Sequence, residues 1–259
     1  MRSALLFLLL SAAASAGGAA APRFEDTIAQ RTLACTSCHG REGRAGPDGY
    51  YPRLAGKPQG YLYNQLLNFR DGRRRYGLMT GLLDPLSDAY LYEIAHYFAE
   101  LDAPYPPPQA PSAPAAIVER GRVLATQGDA SQRLPACASC HGKALTGTQP
   151  NVPGLLGVSR DYLNAQLGAW RTGQRRAHAP DCMADIARRL TPEDLGAVTA
   201  FLAAEALPRN PKPAAAAVAA PAAARAWGKG KGRKNAQLPE PDAPAIQCGS
   251  APPPAGARR

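Results

Sequence analysis

The pentapeptide Cys-x-x-Cys-His occurs twice and constrains the fold of this chain more than any other feature. The first copy runs from Cys35 to His39 and the second from Cys137 to His141. Two cysteines separated by two residues and followed directly by histidine are the attachment signature of c-type haem. The thiols add to the haem vinyl groups and the histidine binds the iron. We therefore predict two covalently bound haem c groups, attached through Cys35, Cys38, Cys137 and Cys140 and bound at iron by His39 and His141.

Two other chemistries use closely spaced cysteines. A zinc ribbon spaces its ligands as two separated pairs, and an adjacent Cys-His can rarely turn both side chains onto one tetrahedral ion. A thioredoxin-type dithiol needs a βαβ context, whereas no alternating strand-like run appears in this sequence. Two copies of the motif in an exported chain favour haem.

Export is predicted from residues 1–21, which read as a signal peptide. Met1-Arg2-Ser3 precedes an apolar run from Ala4 to Leu10, and Ala14-Ser15-Ala16 suits a signal peptidase. The apolar run is short for a bilayer span, and no later run approaches about 20 apolar residues. Because haem is attached to such motifs outside the cytoplasm, we expect a bacterial periplasmic location.

The formal net charge of +10 is concentrated at the end of the chain. From Pro208 onward, nine Lys and Arg residues stand against two acids, an excess of seven positive charges. An exported chain seldom meets nucleic acid, so we do not expect a nucleic-acid partner. The positive charge favours protein docking or contact with an anionic membrane surface. We predict that residues 208–259 form a disordered, basic, Ala/Pro-rich tail.

The chain before this tail is an internal duplication. His39 and His141 are 102 positions apart, and the segment Tyr61-Leu62 with Gln65-Leu66 matches Tyr162-Leu163 with Gln166-Leu167. A repeat of about a hundred residues indicates a duplicated domain, because solenoid units are shorter. We predict an all-α fold with domain 1 at 22–103, a Pro-rich linker at 104–114 and domain 2 at 115–207, each domain wrapped around one haem.

A sixth iron ligand is predicted in each domain. Met79 follows His39 by 40 positions and Met183 follows His141 by 42, and each precedes the last helical stretch of its domain. A thioether ligand raises the haem potential, and a six-coordinate iron leaves no place for substrate, so the pattern indicates electron transfer. His178 is close enough to Met183 to compete as a ligand, although a loop role is favoured. His96 reads as a packed or surface residue.

Cys182 and Cys248 remain after haem attachment. A disulfide between them would suit an oxidising compartment, while a free thiol or intermolecular pairing stays equally open.

With its paired haem motifs, Pro-x-Leu-x-Gly loops and matching methionines, the chain resembles the cytochrome c4 family over residues 30–206. The resemblance implies two class I cytochrome c domains with haems near their interface. It also implies that a carbonyl after each haem loop, from Pro52 and Pro153, orients the ligating histidine. Implied partners are a quinol-oxidising bc complex, a terminal oxidase or a periplasmic dehydrogenase. The short segment before the first motif departs from the family and suggests a reduced N-terminal helix.

Three functions are compatible with these features. The first is a diffusible two-haem electron carrier without enzymatic activity. The second is a dedicated cytochrome subunit of a dehydrogenase or oxidase complex, which would show a large apolar interface. The third is a two-haem peroxidase-type enzyme, which would need a displaceable iron ligand and is disfavoured by the two equivalent methionines.

Overall fold

The computed structural model describes residues 25–46, 48–215 and 248–256. The predicted signal peptide and residues 216–247 of the predicted tail lie outside these ranges. The described chain is mainly helical, which confirms the all-α prediction. It also contains a two-residue antiparallel ladder that sequence periodicity did not reveal. In this ladder, β1 (Gly147–Thr148) pairs with β2 (Val152–Pro153).

Domain 1 is built around the packing of two amphipathic helices. Its helices are α1 (Ile28–Arg31), α2 (Leu33–His39), α3 (Gln59–Arg70), α4 (Gly77–Leu83) and α5 (Asp88–Glu100). Ser87 caps α5, since its hydroxyl accepts a hydrogen bond from the Tyr90 backbone N–H. Leu67 of α3 and Phe98 of α5 lie in the buried core between the two helices. This core supports the loop that follows the first haem motif.

Domain 2 repeats this arrangement with a longer first helix. Its helices are α6 (Ala115–Thr126), α7 (Cys137–His141), α8 (Arg160–Arg171), α9 (Cys182–Arg189) and α10 (Pro192–Ala204). Thr191 caps α10 and Pro192 occupies its first turn, a position that suits proline. The twelve residues of α6 contrast with the four of α1, so the N-terminal helix of domain 1 is reduced as expected.

The crossing of α6 and α10 depends on a glycine. A Cβ added at Gly121 would lie 2.1 Å from the Ala197 carbonyl oxygen. We therefore expect Gly121→Ala to destabilise domain 2 by about 1–3 kcal/mol, the usual cost of overpacking. Gly196→Ala in α10 is the matched control because nothing lies within 4 Å of its added Cβ; it should be neutral or stabilising. Urea unfolding of the haem-loaded protein measures both, and equal midpoints would contradict the expectation.

An ion-pair cluster ties the two ends of domain 2 together. Arg120 of α6 donates to Asp129 in the loop before the haem motif and to Asp194 of α10. Hydrogen bonds from Ser131 and Arg120 lower the pKa of Asp129 to about 2. The cluster therefore fixes the approach of the chain to the second haem motif.

Acid should weaken this cluster in a defined window. The carboxyl of Asp129 has a pKa of 3.8 in the unfolded chain and about 2 in the folded one. Its stabilising contribution is thus complete above about pH 4 and is lost as the pH falls from 4 to 2. Asp129→Asn should flatten the stability profile in this window, as measured by urea midpoints. Asp84→Asn, an exposed change in domain 1, should leave the profile steep; a steep profile for Asp129→Asn would contradict the prediction.

The linker of residues 104–114 contains no helix or strand and packs against both domains. Arg53 of domain 1 donates to the carbonyls of Ala103 and Pro104, and its guanidinium lies 3.7 Å from the centre of the Tyr105 ring. The Tyr105 ring also packs on Gly157 of domain 2. Within the described ranges, no helix combines the length and the apolar character needed to cross a bilayer.

Both described ends of the predicted disordered tail contact the folded domains. The Ala214 N–H donates to the Gly147 carbonyl, and the Gln149 N–H donates to the Ala214 carbonyl. Cys248 forms a disulfide with Cys182, which resolves the alternatives that the sequence left open. Residues 208–215 and 248–256 therefore belong to the ordered structure, while the tail between them lies outside the described residues.

Candidate haem sites and the surface between them

The first site is centred on His39, the last residue of α2. The side chain is 6% exposed, and its Nδ1 donates to the Pro52 carbonyl over 2.8 Å. Gly40 ends the helix with a positive φ of 74°, and a Cβ there would lie 2.2 Å from the Ala45 carbonyl oxygen. Only glycine therefore lets the chain turn tightly after the histidine.

The second site repeats this geometry at the end of α7. His141 is 6% exposed, and its Nδ1 donates to the Pro153 carbonyl over 2.7 Å. The β1–β2 ladder holds Pro153 in place, so the strands serve to position this carbonyl. These are the two carbonyls that the family resemblance implied.

The hydrogen bonds determine which imidazole nitrogen can bind a metal. Because Nδ1 carries the donated proton, the Nε2 lone pair of each ring is available to iron. Burial lowers the pKa of both His39 and His141, which favours the neutral, metal-binding form. Sequence reasoning from the motif alone does not identify this tautomer.

The cysteines share a helical face with these histidines. Cys35 and His39 are four residues apart in α2, as are Cys137 and His141 in α7, so each pair projects to one side of its helix. Burial raises the pKa of the Cys35 thiol, and that of Cys137 to about 11.

The two predicted methionine ligands lie on equivalent short helices. Met79 lies in α4 and packs against the domain 1 core, and Met183 lies in α9 next to the disulfide. Both side chains are partly buried. His96 is exposed on α5, while His178 accepts a hydrogen bond from Arg73 at 3.2 Å through Nε2. The bond engages the ring nitrogen that would otherwise be free for iron.

A pair of buried arginines joins the two domains, and sequence analysis missed its importance. Arg74 is 8% exposed and Arg175 is 4% exposed, and their backbones form an antiparallel bridge. Both guanidinium groups donate to Gln65 and to Gln166. Arg74 also donates to the Tyr162 hydroxyl at 2.7 Å. Arg74 and Arg175 occupy equivalent positions in the two halves of the duplication, and this repetition could have identified them.

The charge of this pair provides a test of whether haem fits. Neither Arg74 nor Arg175 forms an ion pair with a carboxylate of the described residues. Burying cations without anions is costly, and each haem carries two propionates. The Trp170 indole Nε1 is also buried without a hydrogen-bond partner among the described residues, and the Trp170 ring stacks with Arg175 at 3.7 Å. These donors fit a haem group with its propionates at this surface.

Comparison with known proteins supports the same chemistry. Residues 118–205 match the family model for cytochrome c. The chain is 38% identical over 188 residues to a thiosulfate dehydrogenase electron acceptor from Thiomonas intermedia, covering 73% of this chain and 86% of the relative. It is 33% identical over 174 residues to cytochrome c4 from Pseudomonas aeruginosa, covering 66% and 84%.

Solved structures show similar folds. The crystal structure of reduced cytochrome c4 from Pseudomonas stutzeri superposes with a TM-score of 0.59 at 30% identity, covering 68% of this chain and 96% of that one. A thiosulfate dehydrogenase from Marichromatium purpuratum superposes with a TM-score of 0.60 at 35% identity. The match covers 68% of this chain but spans only 37% of the Marichromatium chain.

Proposed function

This chain belongs to the cytochrome c4 family. It therefore carries two covalently bound haem c groups and transfers electrons. We propose that it is a periplasmic electron acceptor for a thiosulfate-oxidising dehydrogenase. One observation carries the proposal. Relatives named as thiosulfate dehydrogenase electron acceptors, from Thiomonas intermedia and Stutzerimonas stutzeri, are 38% and 37% identical to the chain.

In this proposal the haems are held by the residues that the duplicated motifs supply. Each haem, when bound, supplies an iron that changes between the ferric and ferrous states. The chain attaches the haems through Cys35, Cys38, Cys137 and Cys140, and His39 and His141 bind iron through Nε2. The Pro52 and Pro153 carbonyls orient the imidazoles and raise their basicity. Met79 and Met183 would supply the second iron ligands and favour the reduced state.

The two methionine-bearing helices present different surfaces to a partner. The solvent side of α4 is apolar, with Leu78 68% exposed and Leu82 43% exposed. The α9 helix instead carries Asp185, Arg188 and Arg189. Transient redox complexes bury small surfaces, and an apolar face beside a proposed ligand brings the partner close to the iron. We therefore assign dehydrogenase docking to α4 of domain 1.

Stopped-flow reduction by a purified thiosulfate dehydrogenase with thiosulfate tests both parts of the proposal. The oxidised two-haem protein should be reduced at a rate that rises with dehydrogenase concentration. The double variant Leu78→Asp/Leu82→Asp should be reduced at least tenfold more slowly, because the two introduced carboxylates would lose their water when the apolar face docks. Ile117→Asp is the control, since Ile117 is an apolar residue of domain 2 that is as exposed as Leu82, at 43%.

Failures of this experiment have separate meanings. If the wild-type protein accepts electrons from a quinol-oxidising bc complex but not from the dehydrogenase, the proposed donor is wrong. If the Leu78→Asp/Leu82→Asp protein is reduced as fast as the wild type, docking does not use α4. Stable co-elution of the chain with one enzyme would favour the alternative of a dedicated cytochrome subunit over a diffusible carrier.

A further inference from the structure

A short C-terminal segment, residues 248–251, lies across the junction of the two domains; we call it the strap. On the domain 2 side, Cys248 is joined by a disulfide to Cys182, 66 positions earlier in the chain. The next residue, Gly249, donates its backbone N–H to the Pro180 carbonyl over 2.9 Å. A Cβ at Gly249 would lie 2.2 Å from the Ala179 carbonyl oxygen, so the strap is in close contact with the loop before α9.

On the domain 1 side, the strap is bound by a buried asparagine of α3. Asn64 is 8% exposed, and its Nδ2 donates to the Ser250 hydroxyl over 2.6 Å. Its Oδ1 accepts the Ala251 backbone N–H over 2.9 Å, and Ala251 packs against the domain 1 core. The equivalent position of domain 2 is Ala165. The docking site for the strap is therefore not a product of the duplication.

The strap is attached at the start of the helix that bears Met183. Cys182 is the first residue of α9, and the loop before it is held locally by Asp181, which accepts hydrogen bonds from the Ala177 and Ala184 backbones. The strap adds a covalent bond at this helix end and a second anchor in the other domain. The corresponding helix α4, which bears Met79, has Leu78 at the position of Cys182.

We propose that the disulfide-fastened strap is a positioning element that holds α9 against domain 1, so that Met183 stays on the iron of the second haem. This inference rests on the proposed ligand role of Met183. The strap is held by the disulfide at the start of α9 and by Asn64 in domain 1. These two attachments restrict the positions that Met183 can reach, and a preorganised ligand loses less conformational freedom when it binds. The second haem should therefore resist ligand exchange more strongly than it would without the strap.

Imidazole binding to the oxidised two-haem protein tests this role, because it reports how often the methionine leaves the iron. We expect Cys182→Ser/Cys248→Ser to bind imidazole at least tenfold faster at the second haem, with no change at the first. Asn64→Ala keeps the disulfide and removes the domain 1 anchor, so it should also accelerate imidazole binding at the second haem. Repeating the measurements in protein that also carries Met79→Ala, which removes the proposed methionine ligand of the first haem, identifies which haem responds.

The outcomes separate this inference from the proposed function. If wild-type protein lacks a methionine–ferric iron absorption band at its second haem, the proposed ligand set is wrong. If the wild type shows the band at both haems and the double serine variant exchanges as slowly as the wild type, the strap does not position Met183. Equal acceleration at both haems would also overturn the inference, because it would indicate a general loosening of the fold.

Discussion

Replacing Met183 by alanine should abolish the methionine–ferric iron absorption band of one haem and lower its reduction potential by at least about 0.1 V. Replacing Met79 by alanine should do the same to the other haem. The axial ligand is the strongest influence on a haem potential, moving it over a range of about 0.8 V. A thioether stabilises ferrous iron, so its removal shifts each haem towards the ferric state.

Optical redox titration with haem content per chain measures this effect. The wild-type protein should show two haems with potentials well above zero, and each variant should retain one unchanged haem. Leu78→Ala is the matched control, since Leu78 adjoins Met79 but is 68% exposed. A wild-type protein that lacks one of the two bands would exclude one methionine as a ligand, and in domain 2 it would make His178 the first alternative. Faster reaction of the variants with peroxide would show that the methionines close the iron to substrates.

Replacing Arg175 by methionine should destabilise the contact between the domains and lower the potential of at least one haem. Burial, followed by repulsion from Arg74, lowers the pKa of Arg175 to about 10, so the group remains cationic near pH 7. Its loss would leave the carbonyl oxygens of Gln65 and Gln166 without a donor that they now share. It would also remove one of the two buried cations available to a haem propionate, and removing one partner of a buried charge pair costs about 3 kcal/mol.

The sign of the potential change follows from charge. A cation near the haem disfavours ferric iron, so its removal stabilises the oxidised state. At an effective dielectric constant of about 20, a unit charge would contribute roughly 1.7 kcal/mol at a separation of about 10 Å, or about 70 mV for one electron. Optical redox titration measures the change in haem potential, and a urea unfolding curve measures the loss of stability.

Arg176→Met is the control for this experiment. Arg176 is exposed, and its contact with domain 1 is a backbone hydrogen bond to the Arg73 carbonyl, which the substitution retains. The haem potentials of the Arg176→Met protein should shift by much less than those of the Arg175→Met protein. Equal shifts in the two variants would show that the effect reflects overall surface charge and would contradict a specific role for the buried pair.

Local chemistry and periodicity made much of this protein predictable. The repeated Cys-x-x-Cys-His motif determines two haem sites, because the spacing of its sulfur and nitrogen atoms suits few other ligands. Ser87 and Thr191, which cap α5 and α10, are signals of the same local kind, because a capping side chain acts within a few residues. The carbonyls of Pro52 and Pro153 were implied by family resemblance and are observed.

Only the tertiary structure decided the features that join distant parts of the chain. The Cys182–Cys248 disulfide and the anchoring of Ser250 by Asn64 connect residues 66 and 186 positions apart, and no local pattern encodes such pairings. The burial of Arg74 and Arg175 follows from the way the two domains meet. The sequence presents the same residues as part of a basic cluster, because charge is visible along a chain whereas desolvation depends on what packs against it.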